Sequence, residues 1–144
     1  MQNFVVEVLG EVKGRVRCRL ASARANPLFE QRLVRAEMII AASFGISREE
    51  LYLSTRGRKT VADARQIMMY LAHVTFGFTL GEVGRLYNRD RSTVGYACRK
   101  FEDLRDNPRH DHMLDQLERA ICAGGNVGLA PMELVAIAQA GGGA

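Results

Sequence analysis

The sequence is poor in cysteine and contains no cysteine motif. Its three cysteines are Cys18, Cys98 and Cys122, and no two of them form a CxxC pair. An odd count without such a pair, in a chain with no visible secretory signal, argues against a disulfide framework and favours a reducing compartment. We therefore expect a cytoplasmic protein. Cys98 follows Ala97 on the inward side of a predicted helix, which favours a small buried residue over a nucleophile.

Long apolar runs are also lacking. The longest ones are too short to span a bilayer, so we expect no membrane association. The N-terminal FVVEVLG is interrupted by Glu7 and is not preceded by basic residues. It is therefore a poor candidate for a signal peptide.

The residue arrangements typical of enzymes are absent as well. There is no Ser-His-Asp arrangement, no evident pair of carboxylates and no GxxxxGK[ST] phosphate loop. Gly57–Thr60 partly resembles the end of that motif, but the upstream glycine is missing. His110-Asp111-His112 lacks a third ligand at an established spacing, which favours capping and solvent contact over metal binding. We expect no enzymatic activity, no cofactor, no metal and no bound nucleotide.

Positive charge is present in excess and is unevenly distributed. The formal net charge is +4 and the pI is near 9.3. Residues 54–109 hold eleven Lys/Arg and six Asp/Glu, residues 1–53 hold eight and six, and residues 110–144 hold one and four. A central region with a net charge of +5 suits a polyanionic partner.

Apolar residues at helical spacing predict an all-α domain over residues 29–123, with about six helices in a small orthogonal bundle. One predicted helix carries an inward row, which consists of Val61, Ala64, Ile67, Met68, Leu71 and Val74. Residues 124–144 are predicted to be a Gly-rich tail with one weak helical piece. Residues 1–28 form a basic extension, either a flexible arm or two short strands around Gly10–Gly14. Because an isolated hairpin is marginally stable, we favour the arm.

The stretch from Thr79 to Arg105 predicts two helices joined by a tight turn. Thr79 and Glu82 have the spacing of a capping box, and Asn88 is suited to end the first helix. Asp90 or Ser92 can cap the second helix. Its outer face is basic, which is typical of a helix-turn-helix that reads DNA.

Three further caps are predicted from the same kinds of spacing. Ser47 with Glu50 and Thr60 with Asp63 both have the capping-box spacing, and Asp111 is suited to cap a last helix.

Several motifs together resemble the C-terminal DNA-binding domain of the bacterial replication initiator DnaA. Residues 89–94, RDRSTV, followed by ACRK at 97–100, are similar to the family's GRDHTTV and HACRKI patterns. Residues 61–71, VADARQIMMYL, are similar to its ARPRQIAMYL-like helix, and TLGEVG at 79–84 to its SLPEIG-like start. The resemblance extends over about residues 33–121 and implies a Trp-repressor-like helical fold. The sequence shows no ATPase module like the one that precedes this domain in the initiator, so we expect a stand-alone domain.

The resemblance also implies which residues contact DNA. Contacts to bases are expected at the start of the second helix, and further DNA contacts from the basic loop and the preceding helix. The basic pair Arg99 and Lys100 either contacts phosphate or braces the fold. The predicted site residues are Arg56, Arg58, Lys59, Arg65, Gln66, Arg89, Asp90, Arg91, Ser92, Thr93, Arg99 and Lys100. Tyr96 is left undecided between DNA and core.

Three positions depart from the family pattern. Gly57 stands where the family has a minor-groove arginine, Arg91 stands where it has histidine, and Asp63-Ala64 replaces Arg-Pro. These changes predict a binding preference different from the usual box.

The expected function is sequence-specific binding of double-stranded DNA at DnaA-box-like sites in the nucleoid. Such binding would modulate chromosomal replication initiation or transcription, in the host or as a prophage or plasmid accessory. The alternative is a protein-interaction module that contacts the replication initiator or its regulators.

Overall fold

The computed structural model describes residues 6–12, 15–20, 27–53, 57–123, 128 and 130–140, with the backbone alone described for 6–12, 15–20, 27–29 and 123. In these ranges the α-helices are α1 (Pro27–Phe44), α2 (Lys59–Val74), α3 (Leu80–Tyr87), α4 (Arg91–Leu104), α5 (Pro108–Ala123) and α6 (Pro131–Ala140), and Arg48–Tyr52 forms a 3-10 helix. None of the described helices has both the length and the apolar character needed to cross a membrane.

Helix α2 is the centre of the bundle. It packs against α1, α3, α4, α6 and the 3-10 helix. Every residue of its predicted inward row is buried, and Ile67, Met68 and Leu71 are fully inaccessible. A helix that is apolar on most of its surface belongs inside a bundle, and the predicted all-α fold is confirmed.

Helices α3 and α4 form the predicted helix-turn-helix. The Thr79 hydroxyl accepts a hydrogen bond from the Glu82 amide at 3.1 Å, and a Glu82 carboxylate oxygen accepts one from the Thr79 amide at 3.1 Å. Asn88 ends α3 in the left-handed conformation, with φ 56° and ψ 50°. Asp90 is the N-cap residue of α4, although its side chain makes no capping hydrogen bond.

Two other predicted caps are wrong. Helix α2 begins at Lys59 with Arg58 at the N-cap, and the Asp63 carboxylate bonds the Lys59 ammonium at 3.1 Å rather than a capping group. Helix α5 begins at Pro108, three residues before Asp111. Proline has the helical φ and needs no amide partner, so it suits the first position of a helix.

A buried carboxylate ties the helix-turn-helix to α1. Glu37 of α1 is fully inaccessible, and it accepts hydrogen bonds from the Tyr87 hydroxyl at 2.7 Å and the Arg48 Nε at 2.9 Å. The Tyr52 hydroxyl bonds the same carboxylate. Because a buried charge is stable only when it is hydrogen-bonded, this cluster fixes α3 and the 3-10 helix against α1.

The chain termini differ from the favoured predictions. Strands β1 (Val6–Val12) and β2 (Arg15–Leu20) pair in antiparallel fashion, so the strand alternative describes this segment and the flexible arm does not. Helix α6 falls within the predicted tail, but it packs against α1 and α2 with Leu134, Ile137 and Ala138 buried. Burial of these apolar side chains against the bundle is more favourable than their exposure to water in a solvated tail would be.

Candidate nucleic-acid interface

A groove of about 900 Å³ lies between α2 and the helix-turn-helix. Four arginines line it, and these are Arg65, Arg85, Arg89 and Arg91. Asp90 is the one acidic residue of the lining. The predicted clustering of positive charge in this part of the sequence therefore has a spatial counterpart.

The first turn of α4 is presented to solvent at one end of this groove. Arg91, Ser92 and Thr93 are all exposed, as is Asp90 immediately before them. The N-terminus of a helix carries partial positive charge and unpaired amides, which favour an anionic partner. Four predicted site residues are thus brought together on one accessible turn.

The close approach of α3 to this turn depends on a glycine. A Cβ atom at Gly84 would lie 2.5 Å from the carbonyl oxygen of Arg89 and 3.6 Å from the Arg91 amide nitrogen. The Arg89 amide donates to the Gly84 carbonyl at 2.8 Å, which closes the turn. The start of α4 is therefore set by direct backbone contact with α3.

Similarity to known proteins agrees with this geometry. A family model for the helix-turn-helix of bacterial DnaA protein matches residues 37–101. The sequence is 42% identical over 72 residues, 49% of this chain, to the chromosomal replication initiator protein DnaA of Mesorhizobium japonicum, covering 14% of that protein. It is 39% identical over 103 residues, 71% of this chain, to that of Brucella abortus, covering 19%. Residues 37–101 thus correspond to a bacterial DnaA helix-turn-helix domain. The chain spans less than a fifth of the length of these two relatives.

The start of α2 adds exposed cations to the DnaA-type domain. Arg58 bonds the Glu50 carboxylate at 3.2 Å and Lys59 bonds Asp63, while 68% and 73% of their side-chain surfaces remain exposed. An exposed ion pair such as Arg58–Glu50 contributes about 0–1 kcal/mol, so Arg58 is easily transferred to another anion. The Asp63 side chain that Lys59 bonds is only 9% exposed. Arg56 lies outside the described residues.

The backbone conformation at position 57 favours glycine over the arginine of the family pattern. The φ of Gly57 is +70°, in the region where side chains are rarely accommodated. The exposed neighbours Arg58 and Lys59 supply the cations at this end of α2.

Arg65 does not join the exposed cations. Only 2% of its surface is accessible, and its guanidinium donates to the carbonyl of Leu51 at 3.0 Å and that of Glu50 at 3.0 Å. Burial, together with the positive charge of Arg89, lowers the pKa of Arg65 to about 10. Arg89 is half-buried and donates to the Leu53 carbonyl at 3.1 Å.

Lys100 contacts both Gln66 and α6. The Lys100 ammonium donates to the Gln66 side-chain oxygen at 2.8 Å and to the Ala138 carbonyl at 2.6 Å. Burial lowers the pKa of Lys100, while the charge of Asp63 acts in the opposite direction. The basic pair is therefore divided, since Arg99 is exposed whereas Lys100 holds α6 to the domain.

Arg85 is not among the site residues predicted from the sequence. It is exposed on α3 and lines the groove. Its position between Val83 and Leu86, which contact the core, was the available signal for an outward cation on the helix before the turn. The accessible cations of α2 with its N-cap residue, of α3 and of α4, called the exposed cations below, are Arg58, Lys59, Arg85, Arg91 and Arg99.

Among the described residues, no group of three His, Cys, Asp or Glu side chains is arranged to hold a metal ion. Tyr96, undecided from the sequence, is 54% exposed, beside Arg99 on the outer side of α4.

Proposed function

We propose that this chain binds double-stranded DNA sequence-specifically, at DnaA-box-like sites, and thereby modulates chromosomal replication initiation or transcription in the nucleoid. The observation that carries the proposal is the accessible first turn of α4, with Asp90, Arg91 and Thr93 exposed at the positive end of the helix. The DnaA-type domain and the names of the relatives, which are replication initiators, support the same function.

The side chains of this turn have the chemistry that base reading requires. An arginine can donate two hydrogen bonds to the N7 and O6 of guanine, and a carboxylate can accept one from the N4 of cytosine. The methyl group of a threonine can contact the methyl of thymine. With Arg91 and Asp90 adjacent at the helix start, a G·C-containing step is a suitable target.

The remaining exposed cations suit the phosphate backbone. Arg85 lines the groove from α3, and Arg58 and Lys59 are exposed at the start of α2, the helix that forms the other side of the groove. Phosphate contacts of this kind set affinity and register, while the contacts of α4 set the sequence preference.

A fluorescence-anisotropy titration tests the proposal. The protein is titrated with a labelled duplex that carries a DnaA box and with a scrambled duplex of the same composition. We expect tighter binding to the box, and a loss of discrimination of about 1–3 kcal/mol for Arg91→Ala and for Thr93→Ala. Arg119→Ala is the matched control, because Arg119 is an exposed arginine of α5 outside the groove lining.

Equal affinity of the unmodified protein for the two duplexes would contradict sequence-specific binding. In that case, recovery of the replication initiator or its regulators after nuclease treatment would favour the protein-interaction alternative. If Arg91→Ala weakens binding to both duplexes equally, Arg91 contacts phosphate rather than a base.

A further inference from the structure

Four consecutive backbone carbonyls at the end of the 3-10 helix accept hydrogen bonds from side chains elsewhere in the chain. Arg65 of α2 donates to the Glu50 and Leu51 carbonyls, both at 3.0 Å. Asn88 donates to the Tyr52 carbonyl at 2.7 Å, and Arg89 donates to the Leu53 carbonyl at 3.1 Å. We call these four hydrogen bonds the carbonyl bridge.

The carbonyl bridge meets a requirement of helix ends. The last carbonyls of a helix have no partner within it and carry partial negative charge, so cationic and amide donors are favourable there. Arg65 is well suited to this task, because its planar guanidinium can bond two carbonyls at once and needs little ordering to do so. The two adjacent carbonyls that it bonds lie fourteen and fifteen residues before it.

The donors come from the two elements that carry the candidate interface. Arg65 belongs to α2, whose first turn presents Arg58 and Lys59. Asn88 and Arg89 form the turn that leads directly into α4. The end of the 3-10 helix therefore connects the start of α2 to the start of α4 through side-chain hydrogen bonds on both sides.

We propose that Arg65, Asn88 and Arg89 are positioning residues, whose hydrogen bonds to the carbonyls of residues 50–53 fix α4 relative to α2 so that both meet one duplex at a set separation. This inference rests on the proposed DNA binding. It differs from the role implied by the family resemblance, in which Arg65 contacts DNA directly.

The burial of Arg65 favours positioning over direct contact. With 2% of its surface accessible, Arg65 would have to break its hydrogen bonds to both carbonyls to reach a phosphate. The Glu50 and Leu51 carbonyls would then lose the Arg65 partner inside the protein, which is unfavourable. Arg65 and Arg89 bond carbonyls two residues apart, so the two cations lie near each other at this end of the groove, and the charge of Arg89 adds to burial in lowering the pKa of Arg65.

The first experiment observes the bridge in the full chain by NMR of arginine Nε–H groups. For a positioning residue, the Arg65 Nε–H signal should exchange slowly with water in the free protein and keep its chemical shift when the DnaA-box duplex is added. Exposed Arg85 is the internal comparison, and its signal should exchange rapidly. The proposal would be overturned if the Arg65 signal exchanges as fast as that of Arg85, or if its chemical shift changes when the duplex is added.

The second experiment measures binding by variants. Arg65→Lys keeps the charge but loses the two-carbonyl geometry, and Asn88→Gly keeps the left-handed turn but loses the bond to Tyr52. Both should lower affinity for the box duplex, Arg65→Lys by about tenfold or more, with affinity for the scrambled duplex within about twofold. Thermal melts confirm that each variant is folded at the assay temperature.

The opposite pattern would mark Arg65 as a phosphate contact. Arg65→Lys would then bind both duplexes nearly as well as the unmodified protein, and Arg65→Met would weaken both equally and reduce the salt slope by about one. If the unmodified protein shows no preference for the box, the proposed function fails. The exchange rate of the Arg65 signal still decides in that case whether the bridge exists in the free protein.

Discussion

Replacement of Gly84 by alanine tests whether backbone contact between α3 and the turn sets the position of α4. The added Cβ would lie 2.5 Å from the Arg89 carbonyl oxygen, which belongs to the backbone and cannot rotate away as a side chain would. Real Cβ contacts essentially never fall below 3.0 Å, so the turn must move by at least about 0.5 Å.

Two opposing effects determine the change in stability. Alanine in a helix is favoured over glycine by about 1 kcal/mol. Overpacking costs about 1–3 kcal/mol, and the upper part of that range applies because the Arg89 carbonyl is held by the turn. We expect Gly84→Ala to lower the free energy of unfolding by about 1–2 kcal/mol, which corresponds to roughly 4 °C in Tm per kcal/mol.

Gly95→Ala provides the control within the same helix-turn-helix. A Cβ at Gly95 would meet the Arg99 guanidinium at 3.6 Å and a Leu80 methyl at 3.9 Å, which are ordinary contacts. This variant should gain up to about 1 kcal/mol of stability. Urea denaturation followed by circular dichroism gives both values, and anisotropy gives the discrimination between box and scrambled duplexes. A Gly84→Ala protein as stable as Gly95→Ala, with undiminished discrimination, would refute the reasoning.

Three further predictions concern the bonds that hold the domain together. Lys100→Met removes the hydrogen bond to the Ala138 carbonyl, so we expect the free energy of unfolding to fall by about 1–2 kcal/mol and amide hydrogen exchange in α6 to become faster. Unchanged exchange would show that α6 packs against the domain without this bond. Glu118→Ala removes the partner of a buried arginine and should cost about 3 kcal/mol, whereas Asp115→Ala, whose partner arginine is exposed, should cost less than about 1 kcal/mol in the same urea titration. Burial, and after it a neighbouring carboxylate, raises the pKa of the Tyr87 phenol well above 10, so the folded state keeps a proton that the unfolded state releases. Stability should therefore be fully retained below pH 10 and fall as the pH rises above it, and tyrosinate absorbance from Tyr87 should appear together with unfolding rather than before it.

Local signals in the sequence were sufficient for the helix-turn-helix. The capping box of Thr79 and Glu82 and the left-handed Asn88 involve residues at most a few positions apart, so their spacing alone predicts the contact. The inward row of α2 was equally predictable from the sequence, because the residues of one buried helical face recur every three or four positions.

Contacts between residues far apart in the sequence could not be predicted in the same way. Nothing near Arg65 indicates that carbonyls fourteen and fifteen residues earlier will accept from it. An arginine in a helix is ordinarily exposed, and Arg65 was accordingly predicted to contact DNA. The partner of Lys100 was not predicted for a similar reason, because the Ala138 carbonyl lies thirty-eight residues later, in a helix predicted to be part of a tail.

Burial divides the basic residues of the domain into two groups with different effects on binding. Arg65 and Arg105 are 2% and 5% exposed, and both bond groups inside the protein. Arg65 donates to backbone carbonyls, and Arg105 pairs with the carboxylates of Asp111 and Glu118. A buried cation without such partners would be strongly unfavourable, so these residues fix the elements that they join. The exposed cations remain available to a polyanion. It follows that the charge counted in the sequence overstates the electrostatic attraction, and that neutralising an exposed cation should change salt dependence at little cost in stability. Neutralising a buried one should instead change stability and the geometry from which base discrimination arises.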